Sequence, residues 1–541
     1  MSTSGRYCHL DGREEDDDDI TASNVIDNEN NGVQFIELED QQQDEFADEA
    51  FVEHEDLHGA NADNGDDRPS TNSTKTNTST LYLGIVTSLG FCATYFWRYP
   101  IFMLPPDILA TPVVTVPNIF GNASVTSTIT LDLQSSFSLA YIGGMGSAKF
   151  MGMRLIASDF FFRHRLAVIC ALAIFTMLTE CVGVWAFASI PPLQVASVFA
   201  SSFVNSWTYG AVLTYIEGRE ATETLLAIMG LFFIDAGGAA RGAATMALNA
   251  GVPPLLMPLT LGMIACPISC FMMYLTDRCP KPSAADLASR CERSPISPSD
   301  QRKFLSTYAI GMAAIYISYA ILTGLRSFRD FYAEQIYTAA LQDEPAAWIF
   351  IVADLPGAIL ASAVLYSFKS QQEHGAALQA MLCTCVGAGA LILMATSMFA
   401  ANVISGLLWQ MTLGVGLYVA YNILTSAVYD RIVAATNTEG TCTFLVFLGD
   451  CFGYVVTFAI LLLRDFGSSS SGSASDDDRT SDEDAILGVF LTFVYLGIGV
   501  SLGCLLAARC YFWKRLREDD NASSELEVVR LAEHLGDHVM A

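Results

Sequence analysis

The sequence predicts an all-α membrane protein of twelve transmembrane helices in two six-helix bundles. Three observations predict it. Apolar stretches of about 20 residues, each long enough to cross the hydrocarbon core as a helix, recur about twelve times in the 541 residues. Charge is segregated: the chain is 52% hydrophobic and 16% charged with a net charge of −29, and residues 1–80 hold 22 Asp or Glu against Arg6, Arg13, Arg68 and Lys75. A polar, Pro-rich and basic connection, Thr276 to Lys303, divides the stretches six and six.

Residues 1–80 lack the apolar content to build a core and are expected to form a disordered acidic tail. A cleavable signal peptide needs a basic start followed by an apolar run, whereas Glu14 to Asp19 is acidic. The N-terminal bundle, 81–275, contains the stretches near 81–103, 131–151, 166–189, 193–216, 225–248 and 252–275. The linker occupies 276–303. The C-terminal bundle, 304–509, contains those near 304–328, 346–367, 376–399, 402–427, 440–463 and 485–508. Between the last two lies a Ser/Gly/Asp-rich loop, Gly467 to Asp484. In the tail at 510–541, Val528, Leu531 and Leu535 recur at helical spacing and predict a short amphipathic helix.

Basic residues in the connections set the orientation. With the amino terminus in the cytoplasm, Arg154, Arg163, Arg165, Arg219, Arg278, Lys281, Arg290, Arg293, Arg302, Lys303, Lys369, Arg431, Lys514, Arg515 and Arg517 lie inside, and only Arg329, Arg464 and Arg479 outside. An even number of spans returns the carboxyl terminus to the cytoplasm. The first external loop then presents Asn122-Ala-Ser124, a glycosylation sequon. The host membrane is not specified by these features.

Two permanent cations lie inside apolar stretches: Arg98 in the first and Arg326 at nearly the same depth in the seventh. A charge at the bilayer centre costs roughly 2.5–3.5 kcal/mol even on insertion scales, so it normally faces a partner or a watery cavity. Matching places in two halves suggest one anion-binding cavity. Lys149 is a third basic candidate, eight residues after Tyr141 on one helical face; it reads equally well as a lysine snorkelling to the interface. Tyr319, Thr323 and Arg326 stack on one face of the seventh stretch, Ser201, Asn205 and Tyr209 on the fourth, and Gln410, Tyr418, Tyr421 and Asn422 sit on the tenth. Each of the neutral groups could orient a solute or join helices. Glu180, Asp235, Asp354 and Asp450 are acids at depth, able to take up protons or to pair with cations.

An enzyme is disfavoured. The seven histidines fall in expected tails or loops, and no G-x-x-x-x-G-K-[ST] phosphate loop is present. No cofactor, metal site or nucleic-acid partner is expected, and the lipid bilayer is the expected surrounding.

Twelve spans in two sixes with a basic central loop resemble the major facilitator superfamily. Thr94-Tyr95-Phe-Trp-Arg98-Tyr99, Ser147-Ala-Lys149-Phe-Met-Gly152 and Gly324-Leu-Arg326 resemble signatures of the organophosphate:phosphate antiporters, the glycerol-3-phosphate transporter group. That resemblance implies that Arg98 and Arg326 hold a phosphate with Lys149 nearby, in keeping with bidentate guanidinium recognition. It departs at Tyr99, where that group has lysine. The superfamily's gating pattern after the second span is loosened to Gly152, Asp159, Arg163 and Arg165. The strings Tyr215-Ile-Glu217-Gly-Arg219-Glu-Ala-Thr-Glu223, Arg290-Cys-Glu-Arg293-Ser-Pro295 and Asp430-Arg431-Ile-Val-Ala resemble a major-facilitator-like family of unknown function, over about residues 81–510. Glu217 and Arg219 read either as gating charges or as a polar turn. The expected function is secondary transport of a small organic anion, possibly a phosphate ester, by a monomer; Tyr95, Asn205 and Tyr418 complete its expected binding set. The alternatives are a neutral or amino-acid-like solute, with the arginines paired to Asp354, Asp450 or Glu180, and a non-transporting receptor or scaffold whose acidic tail recruits partners.

Overall fold

The computed structural model describes residues 71–117, 128–156, 158–216, 219, 222–280, 298–371, 373–436, 443–468 and 479–540. The acidic tail up to residue 70, Asn122, Glu217 and linker residues 281–297 lie outside them.

Among the described residues, twelve helical rods, some of them interrupted, follow one another. The first, α1, spans Thr71–Cys92, starting ahead of the expected 81. It breaks at Ala93 and Thr94, where Thr94 turns its hydroxyl back to the Phe91 carbonyl at 2.7 Å, and resumes as Tyr95–Arg98 and a tight turn, Pro100–Met103. A two-stranded antiparallel hairpin, β1 (Pro112–Pro117) and β2 (Thr128–Asp132), leads into α2 (Leu133–Ile156). The short helix Asp159–Arg163 precedes α3 (Arg165–Met177), which continues through a π-turn at Leu178–Val182. Two prolines at its first turn, where no intrahelical N–H partner is lost, open α4 (Pro191–Asn205), carried on by Thr208–Leu213. The N-terminal bundle closes with α5 (Thr222–Asn249) and α6 (Met257–Asp277), Gly251 supplying the positive φ that ends α5.

A helix at Pro298–Thr307 precedes α7 (Ala309–Phe331). After a short helix, Ala333–Leu341, come α8 (Ala347–Ser367), α9 (His374–Ala400) and α10 (Gly406–Asn422). The last of these runs on through a second π-turn, Ile423–Ala427, and Val428–Ala435. Helices α11 (Thr443–Ser468) and α12 (Arg479–Met540) complete the chain. The expected boundary at 509 is not a break: the segment with Val528, Leu531 and Leu535 continues α12 as one helix, because no helix breaker intervenes.

Among the described residues, ten helices are long and apolar enough to cross a membrane. The two rods outside that count are α2 and α4, at the places of the second and fourth expected spans. Both carry polar side chains turned into the protein: Gln134, Ser135, Ser138 and Lys149 on α2, and Gln194, Ser201, Ser202 and Asn205 on α4 are all buried. Hydropathy falls short there because the helices line an interior.

The two bundles meet along α5 with α8 and along α2 with α11. The first seam depends on Gly238 and Gly242, a small-xxx-small pair. A Cβ at Gly238 would strike the Phe350 carbonyl, and one at Gly242 would lie 2.7 Å from the Ala347 oxygen, so both positions let the α5 and α8 backbones touch.

Candidate functional site

Between the bundles lies a cavity of about 110 Å³. The rewound end of α1 builds one wall. Its break places Tyr95 and Tyr99 in a stack, ring centroids 5.1 Å apart, with Arg98 beside them. The Arg98 guanidinium donates to the Tyr141 hydroxyl of α2 and lies 4.9 Å from the Tyr95 ring centroid. With its oxygen turned to the guanidinium, the Asn205 amide of α4 accepts from Nε at 3.0 Å and from Nη2 at 3.1 Å. Thus Arg98 is buried among neutral groups, and no carboxylate lies within ion-pair distance of it among the described residues.

Arg326 faces it from the other bundle. Its Nη1 donates to the Tyr421 hydroxyl of α10 at 3.0 Å, and its guanidinium lies 4.9 Å from the Phe233 ring centroid and 5.0 Å from that of Tyr421. Asp330, one turn further along α7, is a loose 3.6 Å from its Nε. Lys149 lines the same cavity, but its Nζ is tied to Asp450 of α11 at 2.7 Å. It is therefore an inter-bundle partner rather than a snorkelling end.

Behind Arg326 sits a second group of charges. Arg241 of α5 reaches across the seam to Asp330 at 3.0 Å and to Asp354 of α8 at 3.2 Å. Arg329 contacts the other Asp354 oxygen at 2.6 Å and also donates to Gln410 at 2.9 Å and Tyr337 at 2.8 Å. Tyr99 adds a hydrogen bond to Asp330 at 3.2 Å. Asp330 thereby belongs to both the cavity and the seam. In these contacts Lys149, Arg241, Arg326 and Arg329 share Asp330, Asp354 and Asp450, Arg98 meets no carboxylate, and Glu180 and Asp235 are two further acids nearby. Desolvated charge of one sign demands a partner.

Of the expected binding residues, Tyr95, Arg98, Lys149, Asn205, Thr323 and Arg326 line the cavity. Two do not. Tyr319 stands just behind the lining, donating to the cavity residue Asp450 at 2.7 Å, and Tyr418 sits behind the wall, 3.4 Å from Nη1 of Arg329. Helical spacing gave them the right face, but that face is wide enough to meet neighbouring helices too. Arg329, expected in an external loop, is buried at the end of α7 instead, since Asp354, Gln410 and Tyr337 satisfy it there. Arg241, Asp330 and Arg329 were not among the expected site residues. The signal available was the glycine pair flanking Arg241.

The expected gating residues lie toward the linker end. Gly152 is in α2, Asp159 and Arg163 bound a short helix, and Arg163 is exposed. Arg219 donates to the carbonyl of Tyr215 in its own bundle at 3.3 Å and to that of Pro280 at the start of the linker at 2.7 Å. Glu217 lies outside the described residues.

The fold is similar to that of solved transporters. A D-xylose-proton symporter superposes with a TM-score of 0.52 at 11% identity, covering 78% of this chain and 97% of that one. The nucleoside transporter NupG gives 0.49 at 12% identity, covering 79% and 98%. These similarities lie in the fold and are to nucleoside and sugar transporters rather than to the organophosphate antiporters. No curated protein matches the sequence. Residues 119–508 match the model of a family of unknown function, DUF5690, which takes in well over half of the chain, and the protein belongs to that family.

Proposed function

We propose that this membrane protein is a secondary transporter of a small organic anion, working by alternating access of two bundles about the central cavity. The observation that carries the reading is the pair of guanidinium groups, Arg98 and Arg326, one from each bundle on one cavity, with Arg98 held by neutral partners among the described residues. An anion bridging them would give Arg98 the charged partner that its neutral neighbours do not supply. Two planar forks suit a phosphate ester or a carboxylate, and the resemblance of the three motifs favours the phosphate ester.

The exposed basic residues Arg163, Arg302, Lys303 and Lys514 lie at the linker end, which supports a cytoplasmic placement of that face and of both termini. A zwitterionic, amino-acid-like solute is the second reading, favoured by Asp330 and Asp450 in the cavity lining beside the cations. Counterflow in proteoliposomes decides between them. Phosphorylated, carboxylated and zwitterionic solutes are offered in turn to the wild type, Arg98→Ala and Arg326→Ala. Exchange of an anion that both substitutions abolish is expected; exchange unchanged in both would remove the anion site.

A further inference from the structure

Glu180 is a fully buried carboxyl outside the cavity lining. It sits on the π-turn of α3, is fully buried, and accepts a 2.6 Å hydrogen bond from the Ser201 hydroxyl of α4 at one oxygen. Among the described residues, its other oxygen has no hydrogen-bond partner and no cation lies within ion-pair distance. An ionised carboxylate without a paired charge is expensive to bury, whereas a protonated one is neutral. A π-turn is a local irregularity that often marks a functional position.

The groups that face Glu180 are few. From α1 comes the cation Arg98, from α2 the Tyr141 phenol that Arg98 holds, and from α4 Ser201. On its own helix the neighbour is the Cys181 thiol, which points to the Pro258 carbonyl, and α6 contributes Cys266 to the apolar cluster of Trp97, Ala173, Met177 and Cys181. Ser201 lies one helical turn from Asn205, which contacts Arg98 from the cavity side. The carboxyl thus meets α4 one helical turn from the point where Asn205 meets Arg98.

We propose that Glu180 carries a proton that is bound together with the anion, making the protein a proton–anion symporter. This rests on the anion reading above. Its logic is linkage: a nearby cation favours the ionised form of a carboxyl, and an anion bound to Arg98 would cancel that cation's field. Bound anion then favours the protonated carboxyl, and by reciprocity the protonated carboxyl favours the anion. Proton movement is balanced: one proton enters the carboxyl from the side where the anion binds and leaves on the side where it is released.

Sulfate, whose charge is constant near neutral pH, is the probe. Its affinity for the purified full-length protein is expected to rise about tenfold for each unit of falling pH where Glu180 titrates, the limit for one linked proton. Glu180→Gln should flatten that slope and fix the affinity near its low-pH value. The infrared difference spectrum of wild type minus Glu180→Gln, taken without any anion, should in the low-pH samples contain the carbonyl band of a protonated carboxyl. Binding that keeps the wild-type slope in Glu180→Gln, or a difference spectrum without that band, overturns the proton assignment. Sulfate binding that Arg98→Ala leaves intact instead strikes at the anion site; the infrared band then still decides whether Glu180 holds a proton. Ser201→Ala keeps the carboxyl and should shift the pH midpoint without removing the slope, separating titration from simple misfolding.

Discussion

Replacing Asp354 by asparagine tests the charge seam most directly. The carboxylate is fully buried and serves two guanidinium groups, Arg329 at 2.6 Å and Arg241 at 3.2 Å. At an effective dielectric of about 20 and charge centres about 4 Å apart, each such pair is worth about 4 kcal/mol. The substitution does not lose both in full. Arg241 keeps Asp330 at 3.0 Å, whereas Arg329 is left with Gln410, Tyr418 and Tyr337 and no carboxylate. The expected cost is therefore that of orphaning one buried cation, about 3–5 kcal/mol. Thermal unfolding in detergent, followed in Asp354→Asn, Arg329→Gln and the double variant, reads it out. The double variant removes the orphan together with its partner, so its loss should be smaller than the sum of the singles by about 1–3 kcal/mol. Additive losses would refute the seam as a coupled charge group.

Further expectations follow from the same geometry. Asp330→Asn removes the acid shared by Arg241, Tyr99 and Arg326, and should both weaken inter-bundle cross-linking by engineered cysteines along α5 and α8 and tighten anion binding; weaker anion binding would contradict the shared role. Gly242→Val places a side chain against the Ala347 carbonyl and should cost about 1–3 kcal/mol and slow counterflow, measured against the milder Gly387→Ala, at a glycine with open space around it. Glu334, in the short helix outside the spans, is half-buried near Glu344 and Glu483, and desolvation pushes its carboxyl up to about 7. A raised folded-state value means stability fully present below about 4.5 and lost as pH rises through about 7. Unfolding midpoints should fall across that window in the wild type and stay level in Glu334→Gln.

Much of the architecture was legible in the chain because membrane crossing imposes a length and a composition. Arg98 and Arg326 stood out for the same reason: a guanidinium within an apolar run is conspicuous wherever its partner lies. The seam was not legible. Arg241, Asp330 and Asp354 are 24 to 113 residues apart in sequence, and nothing local to any of them says which helix it will face. Arg329 and Asp330 follow directly on an apolar run, where hydropathy reads the same for a loop and for a pair folded back into the protein. Tyr319 and Tyr418 show the complementary difficulty. Periodicity assigned each to an inward face, yet the inward face of a packed helix touches both the cavity and its neighbours. The tyrosines went to Asp450 and Arg329 because buried carboxylates and guanidinium groups hold more hydrogen-bonding capacity than their first partners fill.

That spare capacity also explains why the cavity and the seam form one electrostatic unit. Asp330 lies within reach of Arg241 and Tyr99 on the far bundle and of Arg326 on its own helix, with the cavity cation the most loosely held. An acid divided among several donors gives little to the weakest of them, so Arg326 retains most of its affinity for a guest. Arg98 has neutral donors and acceptors in place of an acid and retains more. Burying two under-compensated cations destabilises the empty protein, and the tightly paired Arg241, Arg329 and Asp354 beside them offset that cost by holding the bundles together. The charges that fasten the seam and those left for a solute are thus different members of a single network.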